Sequence, residues 1–136
     1  MEFKTDSCGN TIEAIRVYDE KAPNKNPNID SKKVLNLTKG LKENEDAGHL
    51  LQRNLGGINE CINLLPMPSD WQRNGIWRKL ELLEEGIVEI EKQNGSKIVS
   101  TRRLSYDDKS MLPNNIEFDV QVNGLTCINY TVLYPV

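Results

Sequence analysis

The chain contains a single histidine, His49, which closes the run Asp46-Ala47-Gly48-His49. A neutral imidazole near pH 7 can take a proton from water, so this side chain is suited to general base catalysis. A lone histidine is more often a structural or merely exposed residue, and His49 by itself is a weak indication of chemistry. The interpretation therefore depends on the residues that surround it.

Several further signals lie within a short stretch around His49. They are a Gly56-Gly57 turn, an Asn63-Leu64-Leu65-Pro66 element, a polar helix start after Pro68 and the run Trp77-Arg78-Lys79-Leu80-Glu81. The whole stretch, EDAGHLLQRNLGGINECINLLPMPSDWQRNGIWRKLE over residues 45–81, resembles the DNA/RNA non-specific endonucleases with a ββα-metal site. The form Asp-Ala-Gly-His is similar to the branch common in bacterial toxin domains. The compound motif is specific, whereas Asp-x-Gly-His alone would be a weak match.

The resemblance implies phosphodiester cleavage with one divalent cation, Mg²⁺ by preference and Mn²⁺ as the alternative. Such cleavage needs a water deprotonated beside the phosphorus, and stabilisation of the charge that develops on the phosphate and leaving oxygens. Mg²⁺ prefers oxygen ligands and keeps several waters, so one amide oxygen can be its only direct protein ligand. A neutral amide leaves the charge of the ion available to the phosphate.

The resemblance also implies roles for individual residues. His49 matches the general base, and Asp46 matches a residue that orients the backbone of the motif. Asn63 matches an asparagine that helps to hold the site together. Glu81 matches a helix glutamate that contacts metal-bound water, with a solvated helix carboxylate as the alternative.

The metal ligand is the point at which this sequence departs from the family pattern. The family places an asparagine nine residues after the position of Asn63, and Gln72 stands there. Counting back from Glu81 reaches Arg73 instead, so this chain carries one inserted residue. Asn74 lies seven residues before Glu81, which puts the two on one face of a helix. Asn74 is the predicted ligand and Gln72 the alternative, unless both amides are ordinary polar residues of a helix terminus.

Two other departures concern phosphate binding and activity. Family members often have an arginine between the Asp and the Gly of the motif, where it can help to bind phosphate, and this chain has Ala47. Arg53 or Arg73 are the candidates for that work, unless they lie in solvent. A glutamine often follows the family's proline, and here Met67 stands in its place. These departures motivate an alternative function, a catalytically weakened module that binds nucleic acid or protein on the same fold.

From the resemblance we expect a non-specific endonuclease that cleaves DNA, with RNA left open as a further substrate. The resemblance also implies a toxin module at the C-terminus of a larger bacterial protein, secreted or delivered by contact into the cytoplasm of a target cell. A cognate immunity protein is the implied partner. An unrelated hydrolase that uses His49 is a third interpretation, but no serine or cysteine nucleophile motif supports it.

The elements that must position these residues can be read from periodicity and turn signals. A β-hairpin is predicted over residues 3–6 and 11–18, around the turn-forming Gly9-Asn10 pair. The segments that lead to and carry the motif are predicted as a loop over 21–30, a short strand over 34–37, a loop over 38–46 and a strand over 61–65 stopped by Pro66. Leu50, Leu51, Leu64 and Leu65 are expected in the core.

Apolar residues at helical spacing predict one long helix over residues 70–93, with Trp77 on its core face. Strands are predicted over 97–104, 116–122 and 127–133, the last two joined by an Asn123-Gly124 hairpin turn. The predicted fold class is α+β: a ββα-metal (His-Me finger) nuclease core with an N-terminal β-hairpin, one long helix and a C-terminal antiparallel β-meander.

The bulk composition places limits on these expectations. The chain has 136 residues, 38% hydrophobic and 27% charged, which predicts one globular domain over residues 1–136. No apolar run approaches a membrane span or a signal peptide. The net charge of −3 argues mildly against nucleic-acid binding, although basic residues slightly outnumber acidic ones over residues 47–103. The three cysteines predict mostly buried, reduced thiols. The oligomeric state is left open.

Overall fold

The computed structural model of the chain describes residues 1–18, 30–73, 75–108 and 110–134, with the backbone alone at residues 72 and 73. In chain order the elements are β1 (Glu2–Thr5), β2 (Thr11–Tyr18), α1 (Ser31–Thr38), β3 (Glu45–His49), β4 (Leu64–Pro68), α2 (Ser69–Arg73), α3 (Ile76–Gln93), β5 (Ile98–Ser105), β6 (Asn115–Val122) and β7 (Leu125–Leu133). Short 3₁₀ turns over Arg53–Leu55 and Cys61–Asn63 connect β3 to β4. None of the described helices combines the length and the apolar composition needed to cross a bilayer.

Five strands form one antiparallel sheet in the order β1-β2-β5-β6-β7. The predicted hairpin and the predicted meander are both confirmed, and the pairing of β2 with β5 joins them into this single sheet. The turn between β6 and β7 has positive φ at both Asn123 (49°) and Gly124 (80°), as a tight hairpin turn with the right-handed strand twist requires.

Helix α3 packs on one face of this sheet. Trp77 is fully buried and meets Phe118 of β6 edge to face, with the ring centroids 5.4 Å apart. Leu80 and Val88 follow at helical spacing and are also buried. An aromatic pair of this kind contributes about 0.5–1.5 kcal/mol beyond the area it buries. The predicted core position of Trp77 is therefore confirmed.

The long helix predicted over residues 70–93 is confirmed as α3 over Ile76–Gln93, but its predicted start at residue 70 is wrong, because Gly75 separates α2 from α3. The backbone of Gly75 is extended (φ −86°, ψ −171°), and its N–H donates to the carbonyl oxygen of Asp70 at 2.7 Å. A Cβ added at Gly75 would lie 2.7 Å from that oxygen and from the Cα of Trp71. Glycine is thus required by a close backbone approach, which helical periodicity does not reveal.

The motif itself lies on a second, two-stranded sheet. Strands β3 and β4 pair antiparallel, with His49 opposite Leu64 and Asp46 opposite Met67. Together with the helices that follow, this hairpin forms the expected ββα unit. Leu50, Leu51, Leu64 and Leu65 are buried, as predicted.

Three local predictions around this hairpin are wrong. The predicted strand over 34–37 is helix α1, which is capped by the Asp30 side chain at the N–H of Lys33 (3.2 Å). The predicted loop over 38–46 gives way to β3 at Glu45. Residues 61–63 form a 3₁₀ turn, and β4 continues past Pro66 because a strand with a single neighbour tolerates proline.

Two remaining expectations concern the cysteines and the N-terminal loop. All three cysteines are free, but Cys8 and Cys127 are exposed and Cys61 is partly exposed, so the expectation of mostly buried thiols is wrong. The predicted loop over 21–30 lies outside the described residues except for Asp30.

Candidate active site

His49 is the last residue of β3, and its side chain is held by Asn59. Its Nε2 lies 2.5 Å from the Oδ1 of Asn59, and the two residues are 9% and 5% exposed. The hydroxyl of Ser31, at the start of α1, donates to the same oxygen at 3.2 Å. An amide oxygen only accepts hydrogen bonds, so Nε2 carries the proton and the lone pair of the neutral ring is on Nδ1.

The surroundings of His49 favour its neutral form. Burial lowers the pKa of the imidazole below its usual value, and the nearby positive charge of Arg53 lowers it further. The hydrogen bond to Asn59 acts in the opposite direction. Because the pKa is lowered overall, the ring is largely unprotonated at neutral pH and can accept a proton.

Asn63 anchors the chain just beyond the end of β3. Its Oδ1 accepts from the Leu51 N–H at 2.9 Å, and its Nδ2 donates to the carbonyl oxygens of Leu51 and Ile58, each at 3.0 Å. The side chain is fully buried. Leaving such groups without partners would cost about 1–3 kcal/mol each, so this amide fixes the backbone that follows His49.

Glu81 of α3 lies in the same pocket as His49. It is 6% exposed, and its Oε1 lies 3.4 Å from the Nη1 of Arg78. Burial raises the pKa of this carboxyl from 4.5 to about 7, although Arg78 acts to lower it. The charge and hydrogen bonds around this carboxylate do not fully compensate its burial. A bound cation or a cation-bound water would therefore stabilise its charged form.

A pocket of about 550 Å³ brings these groups together. It is lined by residues from α1, β3, the loop after β3 and α3: Asp30, Ser31, Lys32, Asp46, Ala47, His49, Gln52, Arg53, Asn54, Arg78 and Glu81. Its lining includes both acidic and basic side chains. A base, a buried carboxylate and cations within one pocket are the components that cleavage of a charged ester requires.

A buried polar frame lies beneath the pocket. Gln52 donates from Nε2 to the backbone oxygen of Glu81 (2.9 Å) and to Oε1 of Glu84 (2.8 Å). Glu84 pairs with Arg102 of β5 at 2.8 Å, and both side chains are fully buried. Arg102 also donates from Nε to the carbonyl oxygen of Leu50, the residue after His49, at 2.9 Å. The frame therefore ties α3 and the sheet to the backbone of the motif.

The family model for DNA/RNA non-specific endonucleases matches residues 3–124 of the chain. The chain belongs to the DNA/RNA non-specific endonuclease family. It is a nuclease, a phosphodiester hydrolase whose substrate is nucleic acid. No curated protein matches it significantly by sequence.

Solved structures agree with this assignment at the level of the fold. The chain is similar to the crystal structure of NucA from Streptococcus agalactiae with no metal bound, with a TM-score of 0.70 and 11% identity over 99% of this chain and 70% of that one. It is also similar to NucA from Streptococcus agalactiae with a magnesium ion bound, with a TM-score of 0.65 and 10% identity over 99% of this chain and 72% of that one. Both comparisons confirm the predicted fold class.

The structure of this endonuclease places some of the predicted site residues together. His49, Asp46, Arg53 and Glu81 line the pocket, whereas Asn63 lies behind it as a backbone anchor. The Oδ1 of Asp46 pairs with the Nζ of Lys32 at 2.8 Å. Three predicted residues cannot be placed: Asn74 lies outside the described residues, and so do the side chains of Gln72 and Arg73.

Sequence reasoning missed several residues of the site. Asn59, Ser31 and Lys32 carry no motif, and two of them lie on a helix that was predicted as a strand and a loop. Arg102 did leave a signal. It occupies an inward position in the alternation Ile98, Ser100, Arg102, Leu104, and a charged residue there predicts a buried partner.

The donor groups of the pocket fit a hard cation held mainly through its waters. Among the described residues no cluster of three or more His, Cys, Asp or Glu side chains could hold a metal ion. The pocket instead offers the Glu81 carboxylate, whose charged form burial disfavours. A divalent cation nearby would offset that cost, and Mg²⁺ sites often use few carboxylates.

Proposed function

We propose that this endonuclease hydrolyses DNA with little sequence preference, in the presence of one divalent cation, with His49 as the general base. The observation that carries the proposal is the hydrogen bond from His49 Nε2 to Asn59, because it leaves the lone pair on Nδ1. The pocket that contains His49 also contains a buried carboxylate and cations. RNA has the same reacting phosphodiester and stands as a second substrate to be tested.

In the proposed reaction the residues of the site have different roles. His49 Nδ1 takes the proton of the attacking water, and Asn59 keeps the imidazole in the required tautomer and orientation. Arg53 offers its positive charge to the phosphate. Asp46, paired with Lys32, holds the start of the motif in place.

Mg²⁺, or Mn²⁺ in its place, would neutralise charge on the phosphate and the leaving oxygen. Asn74 is the proposed ligand and Gln72 the alternative, with Glu81 accepting hydrogen bonds from the waters of the ion. The support for this part is the family resemblance together with the raised pKa of Glu81, to about 7. A magnesium ion is also bound in one of the similar NucA structures.

The test is the cleavage of supercoiled plasmid and of single-stranded RNA by the purified protein, with Mg²⁺, with Mn²⁺ and with EDTA. We expect cleavage with either ion and none with EDTA. His49→Ala is expected to reduce the rate by about 10²- to 10⁴-fold, the usual contribution of a general base. Undiminished cleavage by His49→Ala would refute the mechanism. Binding to DNA without cleavage under any ion would instead identify a binding module on the nuclease fold.

We also propose that the domain acts as the toxic part of a larger bacterial protein and reaches the cytoplasm of a target cell. The support is the Asp-Ala-Gly-His form of the motif, which is similar to that of toxin domains. Induced expression in a bacterial host should then stop growth, and His49→Ala should restore it. A cognate immunity protein should restore growth with the unaltered domain. Normal growth on expression of an enzyme that is active in vitro would refute the toxin role.

A further inference from the structure

We propose that Lys32, the second residue of α1, binds the phosphate backbone of the substrate at the active site. The inference rests on the proposed function of the pocket. The first turn of α1 forms one wall of that pocket, where Ser31 and Lys32 lie alongside His49. Lys32 belongs to no recognisable sequence motif, and its position in the site is evident only from the fold.

The ion pair with Asp46 positions the ammonium group of Lys32 but does not use all of its hydrogen-bond donors. Its Nζ lies 2.8 Å from Oδ1 of Asp46, but the Lys32 side chain is 60% exposed against 15% for Asp46. An ammonium group has three N–H donors, so donors remain for a phosphate oxygen after one is given to Asp46. The pair also offsets the negative charge of Asp46, which would otherwise repel the substrate.

The other described cations of the pocket are less available. Arg78 contacts Glu81 at 3.4 Å and Glu85 at 3.5 Å, and its side chain is 26% exposed. Arg53 is partly buried, whereas Lys32 is exposed. On strand β3 the pocket-lining residue next to Asp46 is Ala47, which brings no charge. Among the described residues, Lys32 is therefore the pocket cation most open to a polyanion.

A short chain of contacts fixes Lys32 relative to the base. Its neighbour Ser31 donates to Oδ1 of Asn59, and that same oxygen receives the Nε2 proton of His49. Lys32 is itself tied to Asp46, three residues before His49 on β3. A phosphate that binds Lys32 is thereby held at the wall of the pocket that carries the base, where positioning lowers the barrier to attack.

Lys33 provides a matched control for the experiment. It is the next residue of α1, carries the same charge and is exposed, but it does not line the pocket. Long-range attraction between the protein and DNA changes equally in Lys32→Ala and Lys33→Ala. A difference between the two variants therefore reports a local contact. Thermal unfolding is measured for both variants. Lys33→Ala is expected to match the wild type, whereas Lys32→Ala should unfold slightly earlier, because it removes one partner of the largely buried Asp46 carboxylate.

The experiment measures the binding of a fluorescein-labelled DNA duplex in EDTA as a function of NaCl concentration, and KM for plasmid cleavage with Mg²⁺. Lys32→Ala should weaken binding about 5- to 10-fold at low salt and reduce the slope of log K against log [salt] by about 0.9, the value for one phosphate contact. KM should rise more than kcat falls. Lys32→Arg should keep the wild-type slope, because it keeps the charge.

Equal slopes and affinities for Lys32→Ala and Lys33→Ala would overturn the inference, as would a Lys32→Arg variant that binds like Lys32→Ala. Either result leaves the proposed function standing, provided that His49→Ala still reduces the cleavage rate by about 10²-fold or more. Undiminished cleavage by His49→Ala would refute the proposed mechanism, whatever the binding data for Lys32 show. The two failures are therefore distinguishable.

Discussion

Glu81 and Glu84 lie one turn apart on α3, and both side chains are buried, but they have different surroundings. Glu84 is fully buried and pairs at 2.8 Å with Arg102, whose guanidinium carbon also lies 3.3 Å from the centroid of the Phe118 ring. Glu81 faces the pocket, has the longer 3.4 Å contact with Arg78 as its one ion pair among the described residues, and has a pKa raised to about 7. The charge of Glu84 is compensated within the protein, whereas Glu81 is available to a cation or a cation-bound water that enters the pocket.

Gln52 connects these two carboxylates. Its two amide hydrogens go to the side chain of Glu84 and to the backbone oxygen of Glu81. The Glu81 backbone is fixed in this way, while its side chain stays in the pocket. The comparison suggests that burial alone does not mark a functional carboxylate; burial with weak compensation by its partner does.

Removing Glu84 should have the largest effect on stability. Glu84→Ala leaves the Arg102 guanidinium buried without its counter-charge, which costs about 3–5 kcal/mol in comparable pairs. Urea unfolding monitored by tryptophan fluorescence would measure this loss. Glu89→Ala, an exposed glutamate of the same helix, should change stability by no more than about 0.5 kcal/mol. Equal stabilities for the two variants would remove the structural role assigned to Glu84.

The pH dependence of stability should report Glu81. Its carboxyl has a pKa of about 7 in the folded protein against 4.5 for the unconstrained group, so between these values the folded state binds more protons than the unfolded state. Stability conferred by this group is therefore greatest below about pH 4.5 and falls as the pH rises towards 7, by about 3 kcal/mol at most. Urea unfolding in EDTA at several pH values would show this fall. Glu81→Gln should flatten it, and an identical slope in that variant would contradict the assignment.

A smaller effect is expected on activity when Glu81 is replaced. Glu81→Gln keeps the shape of the side chain but removes the charge offered to the waters of the cation. Losses of about 10- to 100-fold are typical when such an outer partner of a metal is removed. Initial rates at several Mg²⁺ concentrations would measure the loss, which should be partly recovered at high Mg²⁺. Full activity in Glu81→Gln would place this carboxylate outside the reaction.

The part of the site carried by contiguous sequence was predictable. The Asp46–His49 motif, Asn63 and Glu81 have fixed spacing, and the structure brings His49 and Glu81 to one pocket, with Asn63 behind it. The sheet was predictable as two pieces, because alternation and the Asn123-Gly124 turn are local signals. The pairing of β2 with β5 is a tertiary property, and no local pattern shows it.

The remainder depends on contacts between segments that are distant in sequence. Three apolar residues among Val34 to Leu37 do not distinguish a strand from a helix, and only Leu35 is buried in α1. Missing this helix meant missing Lys32. Asn59 is an ordinary loop residue until the fold brings it to His49, and Gly75 breaks the helix because of a backbone oxygen that periodicity does not show.

The central claim is that His49 is a neutral imidazole with its proton on Nε2, held by Asn59, and its lone pair on Nδ1. Because the chain has one histidine, a long-range ¹H–¹⁵N correlation spectrum of ring-labelled protein near pH 8 reports this ring alone. The account predicts the Nε2–H tautomer in the wild type and a mixture of tautomers in Asn59→Ala. A predominant Nδ1–H tautomer in the wild type would contradict it, because the lone pair would then lie on the side of Asn59.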